Sequence, residues 1–135
     1  MARPVLYTDG GSLGNGRVDQ RARMAVFDAT TGTIVVDEWL GALTNNEAEY
    51  RAIEAALDYA FARGMREVEI RSDSLLCVSQ IKGEWKVKEE RLRPSVERCR
   101  TKLAALGGTI TWVRREQNPA GRHLEKLDPL GTAFQ

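Results

Sequence analysis

The sequence predicts an α/β domain: a mixed five-stranded sheet in the order βββαβααβα, with helices packed on its faces. Three observations lead there. Three short apolar runs follow one another early in the chain, separated by glycine-rich or turn-forming residues. At residue 44 the apolar period lengthens from two to about 3.6. Beyond that point strand-like and helical runs alternate, and such crossovers make the strands they join parallel.

Residues 4–8 read as the first strand, broken by glycines at 10, 11, 14 and 16. Residues 23–27 form the second, "DATTGT" the turn, and residues 34–40 the third, which together make an antiparallel meander. Thr44 with Glu47 fits a capping box. Ala52, Ile53, Ala56, Leu57, Ala60 and Phe61 then recur at helical spacing until Gly64. Residues 68–72 are a fourth strand and 74–81 a short helix. Pro94 opens a helix to Leu106, closed by Gly107-Gly108, and residues 110–113 are the fifth strand. Asn118-Pro119 reads as a cap and first turn of a last helix through Leu127.

The chain has 135 residues, which is expected to make one domain spanning 1–135 with a real hydrophobic core. Apolar residues are 42% and charged residues 29%, as in ordinary globular proteins. No apolar run approaches a membrane span, and "MARPVLYTDGG" lacks a signal-peptide layout. The expectation is a cytoplasmic protein, with Cys77 and Cys99 as buried free thiols. A net charge of +1 gives no global sign of a nucleic-acid partner. Its distribution says more: residues 82–102 hold eight basic and four acidic side chains, and Arg114 and Arg115 follow. Such a run is either a solvated helix face or a phosphate-binding flank.

Three carboxylates stand out. Asp9 ends the first strand, at the sheet edge where ligands bind in open α/β folds. Glu49 lies three and four positions before Ala52 and Ile53, so it continues the apolar stripe of its helix, whereas Glu47 and Glu54 fall on other faces and read as solvated. Asp73 closes the fourth strand, on the same edge as Asp9 if the two strands are parallel neighbours. Singly, each has a structural explanation: an Asx-turn for Asp9, the helix dipole for Glu49, an N-cap for Asp73. Together, three carboxylates at one place repel unless a cation joins them. Oxygen-only ligands suit Mg²⁺ or Mn²⁺, and a single histidine, His123, cannot build a zinc site.

"YTDGGSLGNG", "TNNEAEYRAI" and "IRSDSLLCVSQIKGEWKVK" closely resemble the type 1 ribonuclease H family, and "VRREQN" resembles its last strand and following loop. The likeness runs over nearly the whole chain. It implies a ribonuclease H-like fold and cleavage of the RNA strand of RNA–DNA hybrids with two divalent ions, leaving 5′-phosphate and 3′-hydroxyl ends. Carried over by residue, the acidic ligands are Asp9, Glu49 and Asp73. Asn15, Asn45 and Gln80 match polar residues that touch the hybrid's minor groove, with Gly10, Asn46 and Ser74 beside them. Gly11 and Ser12 lie where the backbone nears the RNA strand, and Trp85 and Lys86 match the segment beside the DNA strand. Only residues 83–88 precede the next helix, so the chain resembles the compact subgroup without a large basic protrusion. The expected partner is the hybrid, bound by a monomer away from any membrane.

One departure matters. The family pattern Asn-x-x-Ala-Asp-x-Leu-Ala, whose aspartate is the fourth ligand, reads "NPAGRHLE" here. Gly121 takes the alanine's place and Arg122 the aspartate's. Asn118 is the expected replacement, through its carbonyl oxygen. Glu125, His123 and Asp128 remain alternatives. One rival function is a nuclease of the same fold acting on double-stranded RNA or on hybrid junctions; another, which this departure supports, is a binding module that has lost catalysis.

Overall fold

The computed structural model describes residues 2–13 and 21–126. Five strands, β1 (Val5–Leu13), β2 (Arg21–Asp28), β3 (Thr33–Gly41), β4 (Glu69–Ser72) and β5 (Thr109–Trp112), form one sheet in the order β3-β2-β1-β4-β5. β1 pairs antiparallel with β2, and β2 with β3; β1, β4 and β5 run parallel, as the crossovers predict. The helices are α1 (Asn45–Ala62), α2 (Leu75–Lys82), α3 (Arg93–Ala105) and α4 (Pro119–Lys126). Among the described residues no helix is long and apolar enough to cross a membrane.

Each helix starts where its sequence says it should. Thr44 and Glu47 close a full capping box: the Glu47 amide donates to Thr44 Oγ1 at 3.2 Å and the Thr44 amide to Glu47 Oε1 at 3.0 Å. Ser74 caps α2 through the Cys77 amide at 3.2 Å, and Gly83, with φ 81°, lets the chain turn out of the helix. α3 begins at Arg93, one residue before Pro94, because a 3-10 turn at Glu90–Leu92 leads into it. The main core lies between the sheet and α1, α2 and α3, with Leu6, Val26, Tyr50, Ile53, Leu57, Ile70, Val96 and Ile110 all buried. A smaller cluster on the opposite face joins Ala25, Ala120 and Leu124 to Tyr7 and Phe27, and so seats α4.

β1 is longer than the sequence predicts. It does not stop before the glycines but continues through Gly10 and Gly11, pairing Asp9 with Ala25, Gly10 with Met24 and Gly11 with Arg23. The reason is close packing: a Cβ on Gly10 would lie 2.2 Å from the Ala48 carbonyl oxygen, so the glycine lets α1 press directly on the strand. The parallel pairing with β4 still ends at Thr8–Ser72, so Asp9 and Asp73 are the first residues past it on each strand.

Glu54 also departs from expectation. It is mostly buried, because α3 lies alongside α1 and brings Arg98 to 3.0 Å and Lys102 to 2.8 Å from its Oε2. The basic run therefore divides. Arg98 and Lys102 serve this ion cluster, and Arg100 donates to the Gln80 and Ile81 carbonyls at the end of α2. Lys86 and Lys88 line a surface groove instead. Cys77 and Cys99 are free and buried, as expected.

Candidate active site

Asp9, Glu49 and Asp73 converge. Each offers a carboxylate oxygen, and the three oxygens lie within 4.8 Å of one another. Glu49 reaches in from the first turns of α1, and the Gly10 amide donates to its Oε1 at 3.0 Å. That contact exists because Gly10 permits the close approach. Asp9 is 1% exposed, and neither of its oxygens has a hydrogen-bond partner. Buried carboxylates without partners are costly, and a cation is the usual remedy. Burial, reinforced by Asp73, pushes the Asp9 carboxyl up to about 7. Burial, then Asp9 and Asp73, also drive Glu49 well above the carboxylate range. Burial raises Asp73 too, opposed by Arg115 and by the Asn118 amide.

Asn118 is fully buried at the start of α4. Its Nδ2 donates to the Thr8 carbonyl and to Asp73 Oδ2, both at 2.9 Å, while its Oδ1 accepts from the Ala120 amide at 3.1 Å. The oxygen expected to face a cation is thus spent on the helix start, and the NH₂ faces the carboxylate. In this geometry Asn118 holds Asp73 through its NH₂ and gives its oxygen to the helix start. Of the alternatives, His123 Nε2 lies 2.7 Å from Asp37 Oδ2 on β3, and Glu125 Oε1 accepts from Arg115 Nε at 2.9 Å. Asp128 lies outside the described residues.

Arg115 is the residue that the motif reading passed over. Its Nη1 stands 3.6 Å from both Asp9 Oδ1 and Asp73 Oδ1. The available signal was its place just after β5, on the same sheet edge as the two aspartates. Gly121 matters for a similar reason: a Cβ there would come within 3.2 Å of Asp73 Oδ2 and 3.5 Å of Asp9 Oδ2. Arg122 is exposed, with Nη1 3.5 Å from the Glu116 carbonyl.

The other expected contacts are placed as follows. Asn45 Oδ1 accepts from the Ser12 amide at 2.6 Å, tying β1 to the start of α1. Gln80 is buried between the Tyr50 hydroxyl, 2.5 Å from its Oε1, and the Lys86 carbonyl, 3.2 Å from its Nε2. It braces the 84–88 segment from the floor of the groove that this segment borders. Ser74 spends its hydroxyl on the α2 cap. Gly11 sits in the β1–β2 ladder. Asn46, Trp85, Lys86 and Lys88 line an open groove of about 590 Å³, with Trp85 46% exposed. Asn15 lies outside the described residues.

A family model described as reverse transcriptase-like matches residues 9–125. A crystal structure of RNase H1 from the halophilic archaeon Halobacterium salinarum is 34% identical, with a TM-score of 0.75, over 95% of this chain and 99% of that one. The chain belongs to the type 1 ribonuclease H family. Within that family, the N-terminal RNase H domain of Rv2228c from Mycobacterium tuberculosis is 32% identical, with a TM-score of 0.75 over 91% of this chain and 95% of that chain. LC11-RNase H1 in complex with RNA/DNA hybrid is 30% identical, with a TM-score of 0.76 over 90% of this chain and 93% of that chain. Against full-length relatives the coverage is smaller. The chain spans 57% of Halobacterium ribonuclease HI, at 36% identity over 115 residues, and 32% of the mycobacterial bifunctional protein.

Proposed function

We propose that this chain hydrolyses the RNA strand of RNA–DNA hybrids, leaving 5′-phosphate and 3′-hydroxyl ends, with two divalent ions, Mg²⁺ or Mn²⁺, held by Asp9, Glu49 and Asp73. One observation carries the reading: three carboxylates meet within 4.8 Å, and the most deeply buried of them has no hydrogen-bond partner on either oxygen. The donor set is all oxygen, which fits hard divalent cations. Ions held there would supply positive charge to the scissile phosphate and acidify an attacking water. The protein's own part is positioning. The Gly10 amide orients Glu49, and Asn118 fixes Asp73 against Thr8 of β1. Asp9, between them, keeps both oxygens for the ions.

The groove beside Trp85, Lys86 and Lys88 would take the second strand, the aromatic ring against sugar or base and the ammonium groups against phosphate. Ser12 and Asn45, joined between β1 and the start of α1, would meet the minor groove, where 2′-hydroxyls are exposed. The protein would act as a monomeric single domain, and its two buried free thiols suit the reducing cytoplasm.

Labelled hybrid, incubated with Mg²⁺ or Mn²⁺ beside an Asp73→Asn control, tests the reading. Metal-dependent cutting of the RNA strand by the parent protein alone supports it. A second reading, a hybrid- or double-stranded-RNA-binding module without catalysis, rests on Arg122 standing where the family pattern has an aspartate. Binding without metal-dependent cutting would establish that reading instead.

A further inference from the structure

We propose that Glu125 is the fourth carboxylate of this site, held one guanidinium away from it by Arg115, and that it turns inward when divalent cations take Arg115's place beside Asp9 and Asp73. The proposal rests on the metal-site reading above. The family's position for this carboxylate is occupied by Arg122, which points to the Glu116 carbonyl. Asn118 has committed its oxygen to the Ala120 amide, and His123 is paired with Asp37. Glu125 is the acidic group of α4 that remains among the described residues.

Its place on the helix is suitable. Gly121, four residues earlier, packs against Asp73 and Asp9, so the 121–125 face is the one turned to the site. Helical side chains lean toward the N-terminus, and glutamate has one more methylene than aspartate. Both features help to offset the rise of about 4.5 Å between 122 and 125. Arg115 completes the arrangement. Its Nε takes a hydrogen bond's distance, 2.9 Å, to Glu125, but its Nη1 stays 3.6 Å from Asp9 and Asp73. That gap exceeds a hydrogen bond and leaves both Asp9 oxygens unpartnered. A single diffuse positive charge is a loose occupant there. A divalent ion binds the aspartates more strongly and repels the guanidinium, and the carboxylate of Glu125 is then drawn to the ion.

Isothermal titration of Mn²⁺ into the full chain tests this without reference to turnover. Four proteins are compared: the parent, Asp73→Asn, Glu125→Gln, and Glu125→Gln combined with Arg122→Asp. Glu125 is exposed, so its replacement leaves the fold intact. Asp73→Asn is expected to abolish binding. Glu125→Gln is expected to weaken it roughly ten- to hundredfold, and the double variant to regain most of the loss. Unchanged affinity in Glu125→Gln overturns the proposal while leaving the metal site standing. A double variant as weak as the single one also overturns it, since Glu125 would then act only by restraining Arg115. A parent protein that binds no Mn²⁺, or an Asp73→Asn protein that binds as well as the parent, removes the metal-site reading and this inference with it.

Discussion

Gly10→Ala is a small change with a large expected effect. The added methyl would sit 2.2 Å from the Ala48 carbonyl oxygen, 2.4 Å from its carbon and 2.7 Å from the Glu49 nitrogen. An ordinary carbon–oxygen contact is about 3.3 Å, so α1 must retreat from β1 by about 1 Å. All three obstacles are backbone, so no side-chain rotation relieves them. Overpacking of this kind costs typically 1–3 kcal/mol, and a rigid neighbour puts the expectation at about 3 kcal/mol. Because Glu49 rides on the displaced segment and takes its hydrogen bond from Gly10 itself, the site opens as well. Misplacing a reacting group by about 1 Å costs on the order of a hundredfold in rate. Urea denaturation gives the first number, and steady-state cleavage of labelled hybrid the second. The opposite result is equally defined. Without the overlap, replacing glycine in a strand would stabilise by about 0.4–1 kcal/mol through the unfolded chain. A Gly10→Ala protein as stable as the parent, with normal turnover, would refute the close-packing argument.

Other perturbations have definite outcomes. Without metal, the Asp9 carboxyl is held up to about 7 by burial and by Asp73, against a usual value of 3.8. Between about pH 4 and 7 the folded protein therefore keeps a proton that the unfolded chain has already released, and metal-free stability falls as pH rises through that window. Thermal melts in EDTA should show the fall, and Asp9→Asn should reduce it, leaving the share of Glu49, which burial also raises. Saturating Mn²⁺ above pH 7 should restore stability in the parent, by about 2.7 kcal/mol at a hundred times the dissociation constant. Asp73→Asn is expected to lower hybrid cleavage by about a thousandfold, or ~4 kcal/mol, while leaving the melting temperature of the metal-free protein equal or higher, since one of three crowded carboxylates is gone. Tyr50→Phe leaves the buried Gln80 oxygen without its donor and is expected to cost about 1–3 kcal/mol by urea denaturation.

The order of elements along the chain, the parallel sense of β1, β4 and β5 and the three acidic positions were legible because each depends on local signals: period, caps, and the polarity of one residue on an apolar stripe. Glu49 declared itself by its spacing to Ala52 and Ile53. Asp9 and Asp73 did so by ending strands that crossovers make parallel. What escaped the sequence depends on contacts between distant segments. Asn118 reaches Thr8 across 110 residues, and nothing local says which end of its amide faces Asp73. Gln80 lines the groove, and nothing local says that the Tyr50 hydroxyl and the Lys86 carbonyl also hold its amide. The glycines after Asp9 looked like a strand break because their spacing is that of a turn. Only the packing of α1 shows that Gly10 serves the helix. Glu54 read as solvated because its partners come from α3, far along the chain.

Asn118 belongs at once to the first turn of α4 and to the carboxylate pocket, and this couples the two. Peeling that terminal segment from the sheet would release Asp73 before it disturbed any residue of the large core between the sheet and α1.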